Sequence, residues 1–205
     1  DASMRSFMIA LFIVFLYMIF YYYGAGIVSN VALIANLFFI FGVLASTGMV
    51  LTLPGIAGIV LTIGMSVDAN VLIYERIREE LTNGKGVRLA IEDGYKSAYT
   101  SIIDANVTTL LTGIILYIFG SGPIKGFATT LIIGILTSLF CAIFITRLVI
   151  SARLNKGKSI SFSTRLTKGA FKNLNIDFIG KRRVFYVLSA IVILFGGYSL
   201  STKGL

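Results

Sequence analysis

With 205 residues, a hydrophobic share of 57%, no histidine, no tryptophan and a net charge of +9, the chain is richer in apolar side chains than a soluble domain. Its mean hydropathy of +0.91 agrees. The composition excludes a serine nucleophile paired with histidine and leaves a structural zinc site almost nothing to be built from.

Several apolar runs approach or exceed the about 20 residues that cross a hydrocarbon core. They do not alternate with the period of two that marks barrel strands, so the expectation is an all-α, polytopic membrane protein. The chain begins at Asp1 without an initiator methionine or a signal-type leader, which suggests a piece of a longer protein. A first span is expected over Ser6–Tyr23, closing on the interfacial aromatic patch Tyr21, Tyr22 and Tyr23, with Gly24-Ala25-Gly26 as the turn. The second runs from Ile27 to Met49 and contains Asn30 and Asn36, whose amides are expected to bond to a neighbouring helix or to backbone. Thr52-Leu53-Pro54-Gly55 opens the third span, which continues to about Arg76 with Gly55, Gly58 and Gly64 as close-contact positions.

Residues 75–99 form the first charged segment, with Arg76, Arg78, Lys85, Arg88 and Lys96 interleaved with acids. Val87, Ala90, Ile91, Tyr95 and Ala98 recur at helical spacing, predicting a separate interfacial helix after the Asn83-Gly84 turn. Ser101–Phe119 is the fourth span, Gly120-Ser121-Gly122-Pro123 an uncharged turn, and Ile124–Val149 the fifth span. That last span contains Cys141, Lys125 near its start, and Gly126 and Gly134 as packing positions. From Arg147 to Arg183 ten basic residues face one acid, Asp177. Such a segment marks a cytoplasmic loop with affinity for anionic lipid, a contact with ribosomal RNA being the weaker reading. Its apolar patches, 160–166 and 171–179, are too short to cross. Lys181-Arg182-Arg183 anchors a sixth span, Val184 to about Leu200. Counting basic residues sets spans one to six beginning outside, inside, outside, inside, outside and inside. The domain reading is a five-span region over 1–150, a basic linker over 151–183 and a first span of a second half over 184–205.

The candidate functional residues lie in a repeated local pattern, Val67-Asp68-Ala69-Asn70 and Ile103-Asp104-Ala105-Asn106. A carboxylate in hydrocarbon is costly, so Asp68 must be protonated, paired or turned to a polar cavity. Antiparallel packing would bring Asp68 and Asp104 to similar depth, where two close carboxylates cannot both ionise cheaply. A carboxyl group that gains and loses a proton is the minimum for proton coupling. The structural alternative is helix capping by Asp104 and a satisfied interhelical bond from Asp68. Asn70 and Asn106 can orient a carboxylate or hold water. Thr108, Thr109 and Thr112 extend a polar stripe, or bond to their own helix carbonyls. Arg76 and Arg78 are cationic partners of Asp68 only if the helix end bends inward, and otherwise interface anchors. Gly64, Gly122, Pro123 and Gly126 are packing or hinge positions. Neither a phosphate loop, a dinucleotide fingerprint nor a His-Glu-x-x-His motif is present. No cofactor, metal or bond-making activity is expected, and any energy must come from an ion gradient or another subunit.

Gly64-Met65-Ser66-Val67-Asp68-Ala69-Asn70-Val71-Leu72-Ile73-Tyr74-Glu75-Arg76-Ile77-Arg78-Glu79-Glu80 closely resembles a signature of the SecD/SecF protein-export family. Thr100–Thr109 and Gly122–Leu131 resemble the next two signatures, and Phe178–Arg183 with the following helix is similar to the start of the SecF half. The resemblance implies an RND-type bundle in a bacterial inner membrane, acting with the SecYEG channel and the remainder of a SecDF protein to draw preproteins across on the proton-motive force. It matches Asp68 to the family's intramembrane aspartate and Asp104 to its second signature aspartate, where a structural or gating role is as plausible as proton carriage. An RND-type exporter of small molecules or lipids and a purely structural scaffold are the alternatives.

Overall fold

The computed structural model describes residues 2–49, 51–164, 166–167 and 179–203. Among them there are seven α-helices and no strand: α1 (Ala2–Tyr22), α2 (Gly24–Ser46), α3 (Leu53–Thr82), α4 (Val87–Phe119), α5 (Pro123–Phe140), α6 (Thr146–Asn155) and α7 (Arg182–Lys203). A π-helical turn, Cys141–Ile145, joins α5 to α6 without a break, so six rods result. Five are long and apolar enough to cross a membrane, and Met8–Tyr22 adds a shorter apolar helix.

The chain divides into two compact units, Asp1–Lys168 and Gly169–Leu205. In the second, α7 follows the turn at 179–181 and exposes large apolar side chains such as Val184, Tyr186, Ile193 and Phe195, as a lipid-facing span would. Of the basic linker, residue 165 and residues 168–178 lie outside the described residues, including most of the 171–179 patch and Phe178 of the SecF-like motif.

In the first unit α3 is the central helix, packed most extensively on α5 and α4. It starts where Thr52 Oγ1 accepts the Gly55 amide at 3.2 Å with Pro54 in the first turn, and ends at Gly84, whose φ of +87° suits glycine. Small residues let α5 lie against it. Gly58 abuts Thr130, and a Cβ at Gly134 would stand 2.5 Å from Thr62 Cγ2. Gly126 meets Thr52 Oγ1 in the same way. Gly64 does not belong to this set. It is exposed, and nothing lies within 4 Å of its Cβ position, because it occupies the face of α3 turned away from α5.

Two local expectations are corrected. The α1–α2 turn is Tyr23 alone, at φ 50°, whereas Gly24 and Gly26 are already helical. Gly26 is needed for a close approach to the Met18 carbonyl, so the turn falls one residue earlier. The interfacial helix expected after Asn83-Gly84 is instead the first part of α4, which runs unbroken for 33 residues. No glycine or proline interrupts residues 95–112, and Gly94 lets α4 lie on the Ile77 backbone, its Cβ position being 2.9 Å from Ile77 N. At 1.5 Å per residue α4 is about 50 Å long and overshoots the hydrocarbon core.

Lys85 ties the α3–α4 turn by contacting Glu80 at 2.7 Å and Asp93 at 2.6 Å. The hydrogen bonds to Asp93 and then to Glu80 push its ammonium above the ordinary lysine value. A raised lysine stabilises the fold fully below its unfolded value, and that stability is lost as pH rises through the folded one. From neutral to mildly alkaline pH, amide exchange in residues 80–86 should therefore follow the intrinsic chemistry alone, with protection lost only under strongly alkaline conditions. Lys85→Met should quicken that exchange at neutral pH, and equal exchange in both proteins would contradict the tie.

Candidate functional site

On the face of α3 away from α2, residues Met65, Asp68, Ala69 and Leu72 form one wall of a groove of about 260 Å³. Ser101, Ile102, Ala105, Asn106 and Thr109 of α4 form the other. Residues 65, 68, 69 and 72 fall on one helical face, as do 101, 102, 105, 106 and 109, so the groove follows from two matching periodicities. Asp68 is the ionisable side chain in it, and it is exposed. Asn106 Nδ2 donates to Ile102 O at 2.8 Å, and Thr109 Oγ1 to Ala105 O at 3.1 Å. The groove thus offers one carboxylate and a short row of hydroxyl and amide groups in an otherwise apolar setting.

The other expected residues are distributed differently. Asp104 is exposed and is not among the groove-lining residues, since it stands one step round the helix from Ala105. Thr108 and Thr112 bond to the carbonyls of Asp104 and Thr108, at 3.0 and 3.2 Å, which is the backbone alternative for that stripe. Arg76 pairs with Glu79 at 2.9 Å rather than with Asp68, because the helix continues straight past residue 76. Asn70 is buried on a face of α3 other than the groove. Asn30 Nδ2 reaches Phe15 O on α1 at 3.1 Å, whereas Asn36 finds no protein partner among the described residues. Gly122 takes φ +51° before Pro123, which begins α5. Lys125 lies 4.8 Å from the centre of the Tyr117 ring. Among the described residues no group of three metal-ligating side chains occurs.

A second polar cluster sits at the charged end and was not legible beforehand. Tyr22 OH donates to Glu75 Oε1 at 2.9 Å, and the same oxygen accepts Arg78 Nη1 at 2.7 Å. Arg78 Nη2 donates to Thr167 O at 2.7 Å, and the guanidinium lies 5.4 Å from the centre of the Tyr21 ring. Thr167 Oγ1 donates to Tyr21 O and the Ala25 amide to Ser161 O, at 2.9 and 3.0 Å. Ile160 and Phe162 are buried, so the first part of the basic linker folds back onto α1, α2 and α3. The apolar pair Ile160 and Phe162 was the only sequence signal. Arg78→Ala should free this segment and speed limited proteolysis at 158–167 several-fold while leaving the helices intact. An unchanged cleavage rate would show that Arg78 does not hold it.

Three comparisons bear on these residues. Residues 1–156 match the family model described as protein export membrane protein SecD/SecF, C-terminal. The chain is 58% identical over 148 residues to the protein translocase subunit SecD of Rhodothermus marinus, covering 72% of this chain and 24% of that one. It is 56% identical over 149 residues to the SecD subunit of Desulfurispirillum indicum, covering 73% and 29%. The crystal structure of SecDF, a translocon-associated membrane protein, from Thermus thermophilus aligns with a TM-score of 0.86 at 33% identity, over 99% of this chain and 28% of that one. The chain therefore spans about a quarter of the length of the relatives it matches.

Proposed function

Because this multi-pass membrane chain belongs to the SecD/SecF family of protein export membrane proteins, we propose that it forms part of the membrane core of a Sec accessory subunit that couples the proton-motive force to preprotein movement. Asp68 is the coupling carboxylate in this reading. The observation that carries it is the position of Asp68 in an open groove beside Ser101, Asn106 and Thr109, within a helix whose neighbouring turns are apolar. A carboxylate so placed can take a proton from water or from a group on the rest of the longer protein, and its change of charge alters what α3 and α4 can bring against it. Asp104, outside the groove lining, acts in structure or gating.

The protein works with the SecYEG channel in a bacterial inner membrane, has an RND-type bundle, and makes or breaks no covalent bond. The exposed Lys156 and Lys158 after α6 face anionic lipid on the cytoplasmic side. Three junctions share one end of the bundle: the α1–α2 turn, the charged end of α3 and the segment after α6. This is the arrangement that a single cytoplasmic face requires. The test is gradient-dependent preprotein translocation by the full-length parent carrying Asp68→Asn, with expression and channel binding measured alongside.

A further inference from the structure

Helix α3 presents to the bundle interior a column of polar side chains four residues apart: Thr62, Ser66, Asn70 and Tyr74, none more than 1% exposed. Thr62 donates to Ile59 O at 2.9 Å. Ser66 and Asn70 differ, in that Ser66 Oγ and Asn70 Nδ2 and Oδ1 have no hydrogen-bond partner among the described residues. On α2, Asn36 is 0% exposed and both its amide atoms are likewise without one. Buried polar groups are almost always bonded to protein or to ordered water, because an unmade bond forfeits the hydration the group had before folding.

The helix registers bring these groups to one level. Gly58 abuts Thr130 and Thr62 abuts Gly134 in the parallel pair α3–α5. Continued four residues at a time, that pairing sets Ser66 level with Ser138 and Asn70 level with Ala142. On the other side the Phe39 and Phe140 rings, 5.7 Å apart, fix the antiparallel register of α2. Three residues back along α2, Asn36 comes level with Ile143. Both asparagines therefore stand at the height of the π-helical turn Cys141–Ile145. A π turn widens the helix and displaces its backbone ladder by one residue, so it commonly marks a site where side chains or water enter. Here the Thr146 amide bonds to Cys141 O, and the Thr146 hydroxyl turns back to Ala142 O.

We propose that Asn36, Ser66 and Asn70 form a buried water-binding site at this π turn, where a small cluster of water molecules bridges α2, α3 and the α5–α6 rod. Two primary amides and a hydroxyl supply donors and acceptors together, which gives each water the two to four polar partners it needs. The site lies on the side of α3 opposite the Asp68 groove, only two residues along the helix. The contacts Gly58–Thr130 and Thr62–Gly134, toward the start of α3, are direct close packing. At the level of Asp68 the same helix is held by exchangeable water, so it can shift there without parting close-packed surfaces.

Radiolytic hydroxyl-radical footprinting of the full-length parent in lipid vesicles tests this, since radicals formed from bound water label the side chains beside it. Once corrected for intrinsic reactivity toward the radical, Cys141 and Tyr74, both 0% exposed, should be labelled well above the outward-facing Phe38. In Asn36→Leu/Asn70→Leu, which keeps the branched heavy-atom outline and removes the amides, their labelling should fall several-fold. Labelling of Cys141 and Tyr74 at the Phe38 level in the wild-type protein would overturn the proposal, whether or not the double variant folds. So would unchanged labelling in a folded double variant.

Discussion

Asp68→Asn in the full-length parent should abolish the gradient-dependent component of preprotein translocation while leaving the amount of protein in the membrane unchanged. The substitution keeps the shape of the side chain but removes its charge and its ability to take up and release a proton. Because Asp68 is exposed in its groove and makes no ion pair among the described residues, no buried partner is stranded and the fold loses little. Asp68→Glu retains the carboxyl with one more methylene, and the groove of about 260 Å³ has room for it. Partial coupling is expected from Glu and none from Asn, a contrast that a scaffold role for residue 68 does not produce. Asp104→Asn, outside the groove lining, should lose less.

Gly134→Val should strongly destabilise the α3–α5 seam. A Cβ at residue 134 would stand 2.5, 2.6 and 2.7 Å from Cγ2, Oγ1 and Cβ of Thr62, which is itself 0% exposed and has nowhere to move. Overpacking of this kind typically costs about 1–3 kcal/mol, and the β-branched valine adds further bulk at the closest helix pair. Since all three crowded atoms belong to one side chain, Thr62→Gly in the same protein should recover much of the loss. Thermal unfolding in detergent, read by helical circular dichroism, decides the matter. A double variant no more stable than Gly134→Val would mean that the α3–α5 seam is not where the strain arises.

Much of this architecture is legible in the sequence, because hydropathy finds the spans. Pro54, Pro123 and Gly84 mark helix ends as their backbone preferences dictate. What hydropathy cannot give is which face of a helix meets which neighbour. The Asp68 and Asp104 motifs look equivalent along the chain, but the α4 face that joins Asp68 carries Ser101, Asn106 and Thr109 instead. Gly64 and Gly134 look alike as small residues in apolar runs, yet only Gly134 has a partner helix against it. The continuity of α4 turns on a tertiary contact, Gly94 on Ile77, which overrides the expected break. Ser66 is one small hydroxyl in an apolar run, and its four-residue spacing with Asn70 and Tyr74 acquires meaning only once all three are seen to be buried. The fold-back of Ile160 and Phe162 depends on contacts with residues far away in the chain.

The proposed role of Asp68 as the coupling carboxyl is tested most directly by infrared difference spectroscopy of the full-length parent in oriented lipid films, stepped in pH, which observes a carboxylic acid through its C=O stretch. A pH-dependent C=O band present in the wild-type protein and absent from Asp68→Asn is the predicted result. Identical difference spectra from the two proteins would contradict it.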